Sequence, residues 1–410
     1  MLRVLSIIKK SVFVRNSGIY VLSSIISSGF GFLTLTVLTQ SITPSDIGKI
    51  ESFLTLSTLF YAVLLWGNEL LLINYYSKYG SKSEFKIAFY GILFQSFLLI
   101  IISSLIPFFF EDIGFDITYC AFAFAFLNSI VSLITASFQL EAKVLQYAIV
   151  TILVALGTFI FCICLLKIEA TYIARLLGAI CSLFFVLVFC FPKFYKEKLS
   201  LKYPYIKGVH TFYSKGTLLV SSQLSSWGIE RIDRLQIISI LGLEQLGVYS
   251  VAAQFSLGAM VVEAAISRAW QPYVIKHSEN HRNAMKYQIL KVALALFLVI
   301  MILSLCVGVY IKFFLPQNYL NAIYLSIVLC FGYFFDGIWK LYNNIVIYEN
   351  KYKFYSSTVV TCAILKFCLN FFLIPYYGLM GAAMTSLAVF IIGLLLNIYY
   401  VHYQLNWLSK

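Results

Sequence analysis

Long apolar runs alternate with short polar segments along the whole chain. Most runs contain about 20 residues, the length that an α-helix needs to cross a hydrocarbon layer about 30 Å thick. The pattern therefore predicts twelve membrane-spanning helices. They lie near residues 16–40, 52–76, 87–110, 115–138, 145–166, 170–191, 216–240, 248–273, 289–314, 321–347, 355–374 and 378–401.

The composition agrees with a membrane protein and excludes an ordinary soluble one. Hydrophobic residues make up 61% of the chain and charged residues only 11%, and the mean hydropathy is +0.89. The nine cysteines all lie in apolar runs and form no CxxC pair. We therefore predict no disulfide framework, no metal site and no cofactor.

The basic residues are distributed unevenly between the two sides of the predicted bundle. With the N-terminus inside, the inner segments contain 21 basic residues, whereas the outer loops contain three: Lys49, Lys167 and Lys312. This asymmetry places both termini in the cytoplasm. It also explains the net charge of +13 without a nucleic-acid partner. We interpret Met1–Arg15 as the cytoplasmic start of a retained helix, not as a signal peptide.

Two short self-matches indicate an internal duplication. Ile42–Gly48 aligns with Leu241–Gly247 at an offset of 199 residues, and Leu140–Tyr147 aligns with Tyr348–Tyr355 at an offset of 208. Because each half would contain six helices, the halves would run parallel, related by an axis along the membrane normal. The alternative is chance similarity between apolar sequences of low complexity.

The predicted fold is therefore all-α, a polytopic membrane protein with twelve helices in two six-helix lobes. We expect an N-terminal lobe at residues 1–191, a cytoplasmic linker at 192–215 and a C-terminal lobe at 216–410. No segment outside the spans is long enough to fold as a separate domain, so any chemistry must occur within the membrane.

The seventh predicted span carries a polar stripe. At 100° per residue its polar side chains fall on one face about 120° wide, formed by Ser222, Gln223, Ser226, Glu230, Asp233 and Arg234. Such a stripe cannot face lipid, so it either lines a hydrated cavity or forms a neutralised cluster between helices. In the second case Glu230 and Arg234 would pair at i,i+4.

Three cations would form a ladder across the second lobe: Lys340 in the inner third, Lys366 in the middle and Arg234 in the outer third. A ladder of this kind suits an anionic substrate such as a phosphate or pyrophosphate. The alternative is that each cation pairs with an acid on a neighbouring helix. Arg175, near the outer end of the sixth span, is expected to extend its charged group to the membrane interface.

Glu69 and Arg268 also differ by 199 residues, the first repeat offset. They would occupy equivalent positions near the cytoplasmic ends of the second and eighth helices. We hypothesise that they pair when the cytoplasmic side closes and separate when it opens. Alternatively, each side chain reaches the inner interface independently.

Several motifs give the chain a family resemblance. Ser225–Arg234 and Leu243–Ala252 resemble segments of the polysaccharide flippases that export O-antigen and capsule repeat units. Gln271-Pro272 is similar to the end of that family's eighth helix, Leu373–Ala383 to its turn between helices 11 and 12, and Pro44–Gly48 to its first outer loop. The resemblance extends over nearly the whole chain.

The resemblance implies a two-lobed transporter in the bacterial cytoplasmic (inner) membrane. It would move an undecaprenyl-pyrophosphate-linked oligosaccharide to the outer leaflet, with membrane lipid, a polysaccharide polymerase and a chain-length regulator as partners. An ion gradient could drive the cycle, with Glu69, Glu230, Asp233 or Asp336 as carriers. The chain departs from the family pattern at Gln40, where Arg is usual, and at Thr43, where Gly is usual.

The alternative functions are those of a multidrug exporter and of a membrane-embedded enzyme. A multidrug exporter of the same superfamily would bind its cation at acids in the first lobe, but the first helix has no charged residue between Asn16 and Gln40. A membrane-embedded polymerase or acyltransferase would need an intramembrane base, but all four histidines lie in cytoplasmic segments or at the inner edge, and no large outer loop is present. We therefore predict a transporter with no catalytic residue.

Overall fold

The computed structural model describes residues 12–67, 71–72, 83–199, 206–277 and 282–405. Within these ranges all regular secondary structure is helical. Eleven helices in this part of the chain are long and apolar enough to cross a membrane. The protein is therefore an all-helical, multi-pass membrane protein, which confirms the prediction from the apolar runs.

The long helices of the described ranges are labelled α1 to α12 in chain order. They are α1 (Val12–Ser41), α2 (Pro44–Leu65), α3 (Ser83–Ser103), α4 (Phe115–Leu140), α5 (Val144–Leu166), α6 (Tyr172–Phe194), α7 (Ile206–Leu241), α8 (Leu243–His277), α9 (Arg282–Phe314), α10 (Ala322–Tyr348), α11 (Tyr352–Tyr377) and α12 (Leu379–Tyr399). Eleven of these twelve helices are long and apolar enough to cross a membrane. The exception is α7, whose apolar stretch is interrupted by the charged run Glu230–Arg234.

Several helices begin earlier than the apolar runs indicated. Helix α7 starts at Ile206, inside the segment that we expected to be a linker, and α9 starts at Arg282 instead of near residue 289. Hydropathy marks only the part of a helix that lies in hydrocarbon, whereas backbone hydrogen bonding continues through polar residues in water or headgroups.

Local chemistry explains the early start of α2. Thr43 Oγ1 accepts a hydrogen bond from the Asp46 backbone N–H at 3.2 Å and donates one to the Asp46 carboxylate at 2.9 Å. Pro44 occupies the first helical position, where its fixed φ and missing N–H cost nothing. This capping arrangement starts the helix about two turns before the apolar run begins, and therefore places Glu51 within α2.

The chain divides into two compact units. The first unit comprises Met1–Ile42 and Ser52–Gln223, and the second comprises Thr43–Glu51 and Leu224–Lys410. In the first unit, α5 packs against α1 and α6; in the second, α10 packs against α8, α9 and α12. Large apolar side chains on the outer faces, such as Phe94 and Phe97, stay exposed, as expected for surfaces that contact lipid. The predicted boundaries of the two lobes stay a prediction.

The turns after α4 and α10 have the same geometry. Ala142 and Asn350, which are 208 residues apart, both have positive φ, +54° and +58°. The next residue in each turn donates its backbone N–H five residues back, Lys143 to Phe138 at 2.8 Å and Lys351 to Val346 at 3.1 Å. This agreement supports the duplication, while the repeat and the cytoplasmic termini stay predictions.

Candidate functional site

The polar face of α7 leads into a cavity in the second unit. The cavity has a volume of about 140 Å³ and is lined by residues of α7, α8, α10, α11 and α12. Six charged side chains contribute to its lining: Glu230, Asp233, Arg234, Asp336, Lys340 and Lys366. All six are candidate residues predicted from the sequence, and the structure brings them together.

Asp233 is the centre of the first charged cluster and is only 1% exposed. Its Oδ2 accepts hydrogen bonds from Tyr249 at 2.6 Å and from the Lys366 ammonium at 3.1 Å. Its Oδ1 accepts hydrogen bonds from the Arg234 backbone N–H and guanidinium, each at 3.0 Å. A buried carboxylate with this many donors is compensated for the loss of water.

Glu51 supplies the second negative charge of this cluster. Its Oε1 accepts a hydrogen bond from Arg234 Nε at 2.5 Å and another from Arg231 Nη1 at 3.1 Å. The Arg234 Nη1 also donates to the backbone carbonyl of Glu230 at 2.5 Å. Arg234 is therefore held by Glu51 and Asp233, and not by the Glu230 carboxylate that the i,i+4 spacing suggested.

Lys366 is 2% exposed and lies on α11, which offers it no acidic partner. Besides its ion pair with Asp233, it donates a hydrogen bond to the backbone carbonyl of Ile229. Two neutral contacts reinforce the same helix pair: the Asn370 amide donates to Gln236 at 2.9 Å, and Gln236 donates to the Phe367 carbonyl at 2.9 Å. The middle of α7 is thus fastened to α11 by both charge and amide contacts.

Lys340 forms a second cluster with two carboxylates. It pairs with Asp336 Oδ2 at 2.7 Å, one turn earlier on α10, and with Glu263 Oε1 on α8. Glu263 is buried, and its Oε2 has no hydrogen-bond partner. The Lys340 side chain is 36% exposed, so it is the most accessible of the three predicted cations.

The three cations of the predicted ladder do not give the cavity a net positive charge. The cavity lining contains three acids and three bases, so its formal charge is balanced. Each of Arg234, Lys340 and Lys366 pairs with a carboxylate, because a cation buried in an apolar unit requires a counter-charge. Pairing with acids on other helices is the alternative that the sequence also allowed, and the role of these cations as substrate ligands stays a prediction.

The predicted gate falls outside the part of the chain that the structure describes. Glu69 lies in an undescribed segment, and although Arg268 belongs to α8, its side chain is not described. The pairing of these two residues therefore stays a prediction.

Two acids of the site, Glu263 and Glu51, were not predicted from the sequence. Glu263 lies inside the predicted span 248–273, and the rule that intramembrane charges mark functional sites would have identified it. Glu51 lies just before the predicted span 52–76, two residues after the outer-loop residue Lys49. The capping signal at Thr43 and Pro44 would have placed it within the helix.

Comparison with known proteins identifies the family. The family described as polysaccharide biosynthesis proteins matches residues 13–278. A candidate O-antigen transporter of Shigella flexneri is 27% identical over 326 residues, which cover 74% of this chain and 75% of that protein. An uncharacterised membrane protein of Methanocaldococcus jannaschii is 22% identical over 430 residues, covering 93% of this chain and 82% of that protein.

Solved structures share the fold. The inward closed form of the lipid II flippase MurJ superimposes with a TM-score of 0.71 at 14% identity, covering 95% of this chain and 87% of that one. An inward-facing multidrug resistance transporter of the MATE family, in the MOP superfamily, superimposes with a TM-score of 0.65 at 13% identity, covering 93% and 96%. The resemblance noted in the sequence is confirmed, and the chain belongs to the polysaccharide biosynthesis protein family of multi-pass membrane proteins.

Proposed function

We propose that the protein is a flippase for undecaprenyl-pyrophosphate-linked oligosaccharides, the repeat units of O-antigen or capsule. It would move them from the cytoplasmic to the outer leaflet of the bacterial cytoplasmic membrane. The observation that carries the proposal is the family match over residues 13–278. The similarity to a candidate O-antigen transporter supports lipid-linked cargo, and the fold shared with a lipid II flippase supports the transport mode.

The proposed mechanism is alternating access by two six-helix lobes, with twelve spans and both termini in the cytoplasm. The lobes would correspond to residues 1–191 and 216–410, joined by the segment 192–215. Glu69 and Arg268 are the proposed cytoplasmic gate. A polysaccharide polymerase and a chain-length regulator are the proposed partners, because the translocated repeat unit must be polymerised after it reaches the outer leaflet.

The charged cavity of the second unit is too small for the glycan. Its volume of about 140 Å³ lies below the roughly 300–1,000 Å³ of pockets that hold drug-sized ligands. A water molecule needs only about 10–15 Å³ measured in this way. We assign this cavity to water, protons and part of the pyrophosphate, and the sugars to another surface.

Lys340 is the cation best placed to meet an anionic group. It is the most exposed of the three and pairs with two carboxylates, Glu263 and Asp336. If one of these carboxylates took up a proton, the ion pairing of Lys340 would weaken, but the other carboxylate would still be its partner. Lys340 would then be free to donate to a pyrophosphate oxygen. Arg234 and Lys366 would follow only if their pairs with Glu51 and Asp233 opened.

A multidrug exporter is the second candidate function, because a MATE transporter shares the fold. The described part of α1 carries one charged residue, Arg15, and none from Asn16 to Ser41. A cationic drug would therefore find no counter-charge on that part of α1. This observation favours the flippase.

The test is deletion of the gene in its host, followed by analysis of lipid-linked oligosaccharides. We expect a cytoplasm-facing lipid-linked repeat unit to accumulate and surface polysaccharide to be lost. Complementation with Lys340→Gln, at a membrane protein level matched to wild type, should restore much less polysaccharide than wild type. Lys312→Gln, which removes an exposed cation at the end of α9, should restore all of it. Normal surface polysaccharide together with increased drug sensitivity would replace the flippase by the exporter.

A further inference from the structure

Arg175 lies in the first turn of α6, where we expect its charged group to extend to the membrane interface. Its Nη1 is buried and has no hydrogen-bond partner. Among the described residues it forms no ion pair, and the group that interacts with it electrostatically is the thiol of Cys162 on α5. The residue as a whole is only partly buried.

The orientation of Arg175 is set by the two faces of α6. Exposed apolar side chains, including Ile173, Leu177 and Phe184, mark the outer face of the helix. Arg175 lies 200° around the helix from Ile173 and shares a face with the buried residues Ala179 and Ser182. The guanidinium is therefore directed into the first unit and away from lipid.

The start of α6 supplies no carboxylate to Arg175. The N-cap residue of the helix, Thr171, makes no side-chain capping bond. The Asp116 carboxylate accepts a hydrogen bond from Tyr172 at 2.5 Å and is not among the groups that act electrostatically on Arg175.

Three other buried cations of the described chain each pair with a carboxylate. Lys198 in the first unit pairs with Glu141, and Arg234 and Lys366 in the second unit pair with Glu51 and Asp233. Retaining an unpaired cation within a membrane-spanning unit is costly, and such residues commonly mark ligand sites. Arg175 therefore lacks the counter-ion that its environment requires.

We propose that Arg175 binds a phosphate or pyrophosphate ester, with the guanidinium donating two parallel hydrogen bonds to phosphate oxygens. The phosphate can belong to a phospholipid headgroup or to the lipid-linked substrate. In the second case the inference rests on the proposed function.

The test measures binding to the purified full-length protein in detergent. Farnesyl pyrophosphate is the probe, and farnesol is its uncharged control. Arg175→Met should weaken farnesyl pyrophosphate binding about tenfold or more, as expected for loss of a charge-assisted contact. Arg175→Lys should give an intermediate affinity, because an ammonium cannot bind bidentately. Lys167→Met, which removes an exposed cation at the preceding helix end, should bind like wild type.

The source of the phosphate is decided by a parallel titration with phosphatidylglycerol, using phosphatidylcholine as the control. Binding of phosphatidylglycerol alone that depends on Arg175 assigns the site to a lipid headgroup. Binding of farnesyl pyrophosphate that depends on Arg175 assigns it to the substrate. If Arg175→Met binds both probes as tightly as wild type, or if wild type binds neither, the proposal is overturned.

A second readout separates ligand binding from a structural role. Because Arg175 is unpaired without ligand, Arg175→Met should leave the ligand-free melting temperature unchanged or raise it. A fall of several degrees would show that the guanidinium stabilises the fold, contrary to the proposal. The deletion experiment is independent: normal surface polysaccharide with binding that depends on Arg175 would reject the flippase and retain the anion site.

Discussion

Gly48 lies against the backbone of Leu243, and Gly247 lies against the backbone of Pro44, so the two glycines make equivalent contacts. A Cβ added at Gly48 would lie 2.0 Å from the carbonyl oxygen of Leu243, and a Cβ added at Gly247 would lie 1.8 Å from the carbonyl oxygen of Pro44. Gly48 and Gly247 are 199 residues apart, as are Pro44 and Leu243. Reciprocal contacts of this kind are produced by a local two-fold relation, so they support the proposed duplication.

This contact predicts that neither glycine tolerates a side chain. Gly247→Ala and Gly48→Ala should each lower the free energy of unfolding by about 1–3 kcal/mol, because the obstructing atoms belong to the backbone. Gly258→Ala, on the same helix as Gly247 but with open space around it, should be neutral or slightly stabilising. Thermal unfolding in detergent measures all three, and equal melting temperatures would refute the close contact.

Asp233 and Lys366 form one ion pair, and we predict that replacing Asp233 destabilises the protein more than replacing Lys366. Asp233→Ala leaves Lys366 buried without a carboxylate, a loss that typically costs about 3–5 kcal/mol. Lys366→Met should cost less, because Asp233 keeps Arg234 and Tyr249 as partners. Unfolding of both single variants and of the double variant measures the coupling between them. A larger loss for Lys366→Met would contradict this account.

The Lys340 cluster predicts a compensating pair of substitutions. Lys340→Gln leaves Glu263 and Asp336 without a counter-charge and should destabilise the protein. Glu263→Gln leaves one carboxylate for one ammonium, so it should be neutral or stabilising. The double variant Glu263→Gln/Lys340→Gln should recover part of the stability lost in Lys340→Gln. If it is less stable than Lys340→Gln, the two carboxylates do not share the ammonium.

The repeated turn predicts a stabilising substitution. Ala142 has φ of +54°, a region that costs an L-residue roughly 1–2 kcal/mol. Ala142→Gly should therefore raise the melting temperature. Asn350→Gly should change it little, because Asn tolerates this conformation and its side chain accepts a hydrogen bond from Tyr352 at 3.1 Å. A lower melting temperature for Ala142→Gly would indicate that the Ala142 methyl group makes a stabilising contact.

The sequence predicted those parts of the fold that depend on one segment at a time. The length of each apolar run is enough to predict a membrane helix, because a single helix must satisfy its own backbone in hydrocarbon. The same holds for the polar face of α7, where Asp233 and Arg234 interrupt an apolar stretch and cannot face lipid. The motifs at Ser225–Arg234 and Leu243–Ala252 also carried the family resemblance that the comparison confirmed.

Partner choice was decided by the tertiary structure alone. Glu51 and Arg234 are 183 residues apart, and Glu263 and Lys340 are 77 apart; no periodicity within either helix predicts that they meet. Hydropathy indicates that a charged side chain lies within the membrane. Which opposite charge lies beside it depends on how the helices pack. For the same reason the sequence predicted the Arg175 guanidinium at the interface, whereas its Nη1 is buried in the protein, because the neighbours of α6 decide which of its faces is covered.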